Sequence, residues 1–364
     1  MPEDVDNHAD RIEIRLEDLE PEPPLEVVLD DEPRVEKGGV VSGLQAEPTP
    51  NAPPVVERPV LARRVLFCPP LVFAVLGAIA GVAAWAVVEP FASHARSGPD
   101  RLPTLVAGAA LFFAVAGAVV GMFLGGGEWA AVGAGRKAVH GAVAGLWAGL
   151  VGGAIGGAVG QGVYGWLVRG YEMPVLALVL LRATGWSMVG TWLGLGLGLG
   201  ERAAAKVRNG LIGGSVGGLV GGAAFQAVSL GGWSGPASRL AGLVLVSSAI
   251  GACLGLVETV AKGAWLEVLS GPLRGKQFPV YPEGTLIGTG ARCQAVIPKD
   301  PLVSEAHAAI ARQSGSFVLT DTGSQVGTIV NGRRVRRAVL AEGDVVQVGS
   351  TLLQFHQRPR QSGG

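Results

Sequence analysis

Few of the side chains that could carry out chemistry lie close together in this sequence. The three cysteines, Cys68, Cys253 and Cys293, are scattered and form no CxxC pair, which excludes a disulfide framework and a four-ligand zinc site. Ser304 and His307 resemble part of a hydrolase site, but no acidic partner or nucleophile-elbow sequence accompanies them. The sequence therefore predicts no enzyme, no metal and no cofactor.

The composition divides the chain into unlike regions. Of its 364 residues, 58 are glycine and only 16% are charged, whereas soluble domains carry about 25% charged residues. Residues 1–60 hold 16 acidic and 5 basic side chains and no aromatic residue, so we expect a disordered, acidic, cytoplasmic tail over residues 1–64. Residues 70–260 hold 41 glycines but only 16 charged residues. This pattern excludes a single soluble enzyme, a secreted disulfide scaffold and a coiled coil.

Six apolar stretches are long enough to cross a membrane, which takes about 20 residues per helix. They cover residues 69–88, 104–124, 139–160, 175–199, 210–230 and 240–258. Arg182 interrupts the fourth stretch, whose span is alternatively 183–199 with 173–181 at the interface. The sequence therefore predicts an α-helical membrane bundle over residues 65–260.

The predicted helices repeat in pairs. Three of them end with glycines seven and three residues before a glutamate, at Glu128, Glu201 and Glu258. The glycine pattern of the third helix recurs 69 residues later in the fifth. The simplest interpretation is three copies of a two-helix hairpin.

Two of the helices carry glycines at every fourth position. These stripes are Gly141, Gly145, Gly149 and Gly153, and Gly210, Gly214, Gly218 and Gly222. Residues four apart lie on one helix face, and small residues there let two membrane helices approach closely. We expect close helix packing, with a glycine-lined pore as the alternative.

The three repeated glutamates would suggest an ion path if they were buried in mid-membrane. They lie instead at helix ends, each near a basic residue: Arg136, Arg202 and Lys262. We therefore interpret them as solvated, charge-paired boundary residues, which leaves a transporter with little support.

The placement of Lys and Arg predicts the orientation of the helices. With the N-terminus inside, nine basic residues fall in the inner segments and four in the outer loops. We therefore expect a multi-pass protein of the cell's inner membrane with both termini in the cytoplasm.

After Lys262 the pattern changes to short alternating runs separated by Gly, Pro, Asn and Asp. The runs are 265–269, 275–281, 284–288, 306–313, 316–321, 328–330, 333–340, 344–348 and 351–356. Many short strands of this kind are typical of an antiparallel sandwich. We expect one all-β domain over residues 264–358, followed by a short tail at 359–364.

The residues of this domain resemble the forkhead-associated (FHA) family, whose β-sandwich binds phosphothreonine peptides through its loops. The likeness covers about a quarter of the chain and is carried by these runs: Leu286 to Gly288, Val303 to Ala308, Leu319 to Ser324, Gly327 to Gly332, Gly343-Asp344 and Val348-Gly349. Glycine-rich hairpins followed by such a domain also look like bacterial multipass proteins with a C-terminal FHA module. The resemblance implies structural roles for Gly288, His307, Asp321, Asn331 and Gly332.

The binding residues that the resemblance implies match the family only in part. The candidate phosphopeptide site comprises Thr289, Arg292, Ser304, Gln325 and Val326. The family places arginine where this chain has Thr289, arginine where it has Glu305, and asparagine where it has Val326. A phosphate is best held by arginine hydrogen bonds, so losing one such contact costs about 1.5–3 kcal/mol. Arg292 is a possible substitute; otherwise this domain binds weakly or takes an unphosphorylated partner.

A basic cluster, Arg333, Arg334, Arg336 and Arg337, follows the Asn331-Gly332 turn. It contacts anionic lipid, contacts the acidic tail, or is simply solvated. No aromatic residues interleave it, so nucleic acid is not an expected partner.

The sequence as a whole predicts a membrane-anchored signalling scaffold. Its cytoplasmic FHA-like domain would recruit a protein partner, phosphorylated or not, in a Ser/Thr kinase pathway, and Thr49 in the tail is a candidate ligand in cis. The alternative is a channel or transporter regulated by the FHA-like domain.

Overall fold

The computed structural model describes residues 67–94, 102–172, 174–201, 203–232 and 234–358. The predicted acidic tail with Thr49, the C-terminal tail at 359–364 and Arg202 lie outside the described residues.

Six long helices form the N-terminal part of the described chain, as predicted. They are α1 (Pro69–His94), α2 (Leu102–Ala131), α3 (Gly135–Gly170), α4 (Val175–Gly200), α5 (Ala204–Leu230) and α6 (Gly235–Ala261). All six are long and apolar enough to cross a membrane, judged by length and composition. Most extend beyond the predicted stretches, and α4 continues unbroken through Arg182.

The helices form a ring in which each packs against its neighbours in sequence and α6 packs against α1. The side chains of the bundle core come from α1, α2, α4 and α6, with Leu124, Leu193 and Ile250 almost fully buried. The buried residues of α3 and α5, by contrast, are mostly glycine. The opposite face of α3 exposes large apolar side chains at every fourth position, including Val143, Trp147 and Val151. An apolar exterior of this kind suits a surface that contacts lipid.

The two glycine stripes face the backbones of neighbouring helices. A Cβ atom on Gly141, Gly145 or Gly149 would overlap the carbonyl oxygen of Gly125, Gly121 or Gly117 on α2. In the same way Gly153 faces Phe113, Gly210 faces Gly194, Gly214 faces Gly190, Gly218 faces Trp186 and Gly222 faces Ala183. The glycine contacts thus join α2 to α3 and α4 to α5, across the boundaries of the predicted hairpins.

The C-terminal part is a β-sandwich, as predicted. Its strands are β1 (Ala264–Val268), β2 (Gln277–Val280), β3 (Thr285–Gly288), β4 (Ala295–Val296), β5 (Ala308–Gln313), β6 (Ser316–Asp321), β7 (Thr328–Val330), β8 (Arg333–Val335), β9 (Arg337–Leu340), β10 (Val345–Val348) and β11 (Thr351–Gln357). One sheet has the order β2-β1-β11-β10-β7-β8 and the other β4-β3-β5-β6-β9.

Two details of the sandwich differ from the sequence prediction. The short strand β4 was not expected and pairs in parallel with β3, whereas the other paired strands are antiparallel. The predicted strand over residues 333–340 divides at Arg336: β8 pairs with β7 in one sheet and β9 with β6 in the other. The chain therefore crosses between the sheets inside what looks like one continuous strand.

The sandwich core lies between the two sheets and continues into the membrane bundle. Phe278, Phe355 and Ile310 are almost completely buried. Trp129 and Ala138, from the α2–α3 corner, belong to the same apolar cluster. Folding therefore fixes the sandwich against one end of the bundle, which we call the sandwich end.

Candidate functional site

Three loops at one edge of the sandwich carry the predicted binding residues. The loop after β3 is held to the segment before β5 by backbone hydrogen bonds from Thr289 N–H to Ser304 O (3.1 Å) and from Gly290 N–H to Glu305 O (3.0 Å). At Gly288 a Cβ atom would overlap the carbonyl oxygen of Glu305. Only glycine therefore allows the two segments to approach this closely.

His307 connects this pair of segments to the loop between β6 and β7. Its ring is completely buried. Nδ1 accepts from the backbone N–H of Ser304 (3.2 Å), and Nε2 lies 3.3 Å from the carbonyl oxygen of Gly327. Because a carbonyl only accepts, the ring hydrogen is on Nε2. The histidine is thus a brace between two loops.

Ser304 and Gln325 meet at the centre of this edge. The Ser304 hydroxyl oxygen accepts from the backbone N–H of Gln325 (3.3 Å), which leaves the hydroxyl hydrogen available to donate. Val326 is partly exposed beside Gln325, and Thr289 is half-buried on the adjoining loop. Arg292 is exposed on the same loop as Thr289, and within the described residues no hydrogen bond joins it to Ser304.

Asp321 shapes the β6–β7 loop. Its carboxylate accepts from the hydroxyls of Ser324 (2.7 Å) and Thr328 (2.6 Å) and from the backbone N–H groups of Gly323 and Ser324. Partial burial raises the pKa of Asp321, but these hydrogen bonds outweigh burial and lower the pKa to about 2. The carboxylate therefore stays ionised and keeps the loop in place.

Asn331 and Gly332 form the two-residue turn between β7 and β8. Both have positive φ angles, 50° and 80°, which are the angles of a tight hairpin turn. The Asn331 side chain donates to Asp344 (2.9 Å) and accepts from the backbone N–H of Val345 (2.9 Å). The turn is therefore tied to the start of β10.

One basic residue beside these loops was not identified from the sequence. The guanidinium of Arg334 lies against the Cα atom of Gly327, where a Cβ atom would overlap it. The sequence shows Arg334 only as part of the basic cluster, and the pairing of β8 with β7 is what brings it to the loop edge. Arg333, Arg336 and Arg337 are exposed.

The membrane bundle also reaches this edge of the sandwich. Arg136, at the start of α3, forms an ion pair with Glu305 (3.0 Å), and both side chains are largely exposed. Lys137 donates to the carbonyl oxygen of Cys293, and Gln294 donates to the carbonyl oxygen of Glu201 (3.0 Å). The negative charge of Glu305 is therefore offset in part by a cation from the bundle.

The three repeated glutamates are charge-paired, as predicted, but they are mostly buried between the helix ends and the sandwich, so the prediction that they are solvated is wrong. Among the described residues, their partners are lysines other than Lys262, and Arg136 pairs with Glu305 instead. Lys137 binds Glu201 (2.8 Å) and Lys206 binds Glu258 (2.7 Å). These lysines are 69 residues apart, so they occupy equivalent positions of the repeat. Glu128 is instead paired with Lys276 of the sandwich (2.9 Å).

The three repeated glutamates are thus matched by three lysines, two from the bundle and Lys276 from the sandwich. The chain just before α1 holds Phe67, whose ring lies 5.9 Å from the Lys276 ammonium nitrogen. Lys276 is buried at the joint between sandwich and bundle. Without the sandwich, Glu128 would lack this cation.

The described residues contain no group of three His, Cys, Asp or Glu side chains arranged to hold a metal ion. Cys68, Cys253 and Cys293 are free thiols, and Cys293 is buried.

The C-terminal part of the chain is similar to known proteins. The family described as "Inner membrane component of T3SS, cytoplasmic domain" matches residues 267–358. The chain is 37% identical over 104 residues to an oxoglutarate dehydrogenase inhibitor of Corynebacterium diphtheriae, covering 29% of this chain and 72% of that protein. It is 36% identical over 110 residues to the glycogen accumulation regulator GarA of Mycolicibacterium smegmatis, covering 30% and 69%. A crystal structure of the FhaA FHA domain, complexed with the intracellular domain of Rv3910, shares 29% identity over 26% of this chain and 99% of that chain, with a TM-score of 0.24.

The sandwich with its loop edge, fixed to six apolar helices, defines a membrane-anchored binding protein. Through this C-terminal domain the chain belongs to the forkhead-associated domain family. The six helices together with the family match indicate an inner-membrane protein.

Proposed function

We propose that the protein recruits a phosphothreonine-bearing protein partner to the cytoplasmic face of the inner membrane and that it catalyses no reaction. The observation that carries this proposal is the loop edge itself. There the hydroxyl of Ser304, the backbone of Gln325 and the segment around Thr289 are held together by His307. A hydroxyl and the backbone N–H groups of a loop are donors of the kind that bind the oxygens of a phosphate group.

A bound phosphate needs a cation, and at this edge the cation would come from positions other than the one that the family uses. With Thr289 in the place of the family's arginine, the basic candidates are Arg292, on the same loop as Thr289, and Arg334 of β8, which lies against Gly327. Arg136 partly neutralises Glu305 from the bundle side. We propose that these substitutions weaken phosphate binding without abolishing it.

The test is peptide binding to the full-length protein in detergent, measured by fluorescence anisotropy with matched phosphothreonine and threonine peptide libraries. We expect preference for the phosphorylated peptides, and Thr289→Arg to tighten their binding about tenfold. Arg292→Gln should weaken it, whereas Arg274→Gln, an exposed arginine on the β1–β2 loop, serves as the control. If Ser304→Ala and Thr289→Arg both leave affinity unchanged, this edge is not the binding site.

The relatives give the proposal its biological direction. Two of them are named as regulators of metabolism, an inhibitor and a glycogen accumulation regulator, and the FhaA domain is complexed with an intracellular domain of another protein. We propose a partner modified by a Ser/Thr kinase, with both termini of this chain in the cytoplasm. Protease added to intact cells should then leave the sandwich uncut, and cleavage would overturn this orientation.

We propose no channel or transport activity, although a channel was the alternative from sequence. The eight predicted packing glycines face the backbones of neighbouring helices. The three glutamates are matched by three lysines at the sandwich end. Solute flux through liposomes that contain the purified protein would contradict the scaffold function.

A further inference from the structure

A groove of about 500 Å³ lies at the sandwich end of the bundle, between α5, α6 and the sandwich. It is distinct from the loop edge that carries Ser304. Four basic side chains from different parts of the chain line it: Arg208, Lys262, Arg312 and Arg358.

Three of these four side chains make described hydrogen bonds, and all of these are to neutral groups. Arg358 donates to the carbonyl oxygens of Val260 (2.7 Å) and Thr259 (3.3 Å), which end α6. Lys262 donates to the side-chain oxygen of Gln277, and Arg312 donates to the carbonyl oxygen of Gly315 (3.3 Å).

Carboxylates do not balance this charge. Across the residues that the structure describes, none of the four cations has a carboxylate oxygen within 4.0 Å. Glu258 also lines the groove, but it is engaged by Lys206 at 2.7 Å. Burial lowers the pKa of Lys262, and the charge of Arg358 lowers it further against the attraction of Glu258. The groove therefore gathers four cations that no carboxylate of the described residues pairs with directly.

The groove also lies at the level where the apolar helix surface ends. Arg208 is in the second turn of α5, and Lys262 directly follows the end of α6. Leu256 and Val260 of α6 and Ile212 of α5 are exposed just inside these ends. In a bilayer such apolar surface contacts acyl chains, and the basic residues beyond it lie among the headgroups.

We propose that this groove binds the headgroup of an anionic phospholipid. The phosphate oxygens accept hydrogen bonds from Arg208, Arg312 and the neighbouring cations, while the acyl chains lie along the exposed faces of α5 and α6. Basic pockets at the ends of membrane helices are suited to such headgroups. A bound lipid would supply the counter-ion that the described residues lack.

The experiment uses the full-length protein purified in a mild detergent. Phosphatidylglycerol and phosphatidylcholine with identical acyl chains are added separately, and bound lipid is measured by native mass spectrometry together with the thermal unfolding midpoint. The test variant is Arg208→Gln with Arg312→Gln. The control, Arg333→Gln with Arg336→Gln, removes two exposed arginines that do not line the groove.

We expect the wild type and the control to retain phosphatidylglycerol in preference to phosphatidylcholine, and the test variant to lose at least about tenfold in affinity. The test variant should keep the wild-type unfolding midpoint when no lipid is added, which separates lost binding from lost folding. The proposal is overturned if the two lipids bind equally or if the control variant loses as much affinity. It is also overturned if inorganic phosphate or polyglutamate protects the protein as well as the lipid does, since the ligand would then be any polyanion.

Discussion

The bundle and the sandwich are stabilised in opposite ways. Between α2 and α3 the backbones meet at Gly121 and Gly145, where any side chain would collide with a carbonyl oxygen. In the sandwich, large side chains such as Phe355 and Phe317 fill the space between the sheets. These two rings meet edge-to-face, with their centroids 5.4 Å apart. Helix contacts in the bundle are thus made by backbones at glycine, whereas contacts between the two sheets are made by large side chains.

This difference follows from the two solvents. Lipid is as apolar as leucine, so burying apolar side chains gives membrane helices little, and close backbone packing takes over. In water the same burial is the dominant stabilising contribution. At the joint between the two regions, Trp129 and Ala138 of the bundle pack into the sandwich core, and the Lys276–Glu128 ion pair links the two parts. The Lys137–Glu201 and Lys206–Glu258 pairs lie beside it, within the bundle.

The largest effect should come from adding a single methyl group to the glycine contact. Gly145→Ala places a Cβ atom onto the Gly121 carbonyl oxygen, so the helices must separate along their length. We expect a loss of about 5 kcal/mol or more of stability, at the exceptional end for one substitution. Unfolding in detergent and the yield of monodisperse protein would measure it.

Gly108 on α2 provides the matched control, because nothing lies within 4 Å of a Cβ atom added there. Gly108→Ala should leave stability unchanged or raise it by up to about 1 kcal/mol, since alanine favours helix. Equal effects at the two positions would refute backbone contact as the basis of bundle stability.

The opposite change tests the sandwich. Phe355→Ala removes a fully buried ring and should cost about 4 kcal/mol. We expect the sandwich to unfold at lower temperature while the helical circular-dichroism signal persists. Val339→Ala, at an exposed position on β9, should have little effect. Simultaneous loss of both signals would mean that the two regions are not separately stabilised.

The joint should show an intermediate effect. Lys276→Met leaves Glu128 in a mostly buried site without its cation, which should cost about 3 kcal/mol. Limited proteolysis between α6 and β1 should then speed up as the sandwich detaches. Adding Glu128→Gln removes the uncompensated charge and should recover most of the loss. If the double variant is no better than Lys276→Met alone, the pair does not hold the joint.

The architecture of both regions could be predicted from sequence because each has a strong local signature. Uninterrupted apolar stretches predict the six helices, and alternation with turn residues predicts the sandwich. The helix ends were placed short because glycine and charged residues such as Glu128 continue the helix beyond its apolar part. The division at Arg336 could not be predicted, since the choice of sheet for β8 and β9 depends on long-range pairing.

The candidate site was predictable in its residues but not in its surroundings. Resemblance to the family identified Ser304 and His307, and the structure shows which loops they join. Nothing in the local sequence indicates that Arg136 would meet Glu305 or that Arg334 would lie against Gly327. Such contacts arise from docking and strand pairing, which single-sequence patterns do not encode.

The smallest effect concerns the loop that carries the site. Above the unfolded-state pKa of about 3.9, the ionised Asp321 stabilises the native loop. Because its native pKa is lowered to about 2, this contribution is lost as the pH falls from the unfolded-state pKa to the native pKa.

Asp321→Asn, which presents a donor to hydroxyls that need an acceptor, should cost about 1 kcal/mol at neutral pH. The variant should also unfold with a shallower dependence on pH below 4. Glu283→Gln, an exposed residue in the β2–β3 turn, provides the control. Because the Asp321 carboxylate holds the β6–β7 loop and does not lie between the sheets, phosphopeptide affinity should fall more than stability in Asp321→Asn. If stability falls while affinity is kept, Asp321 supports the core rather than the recognition loop.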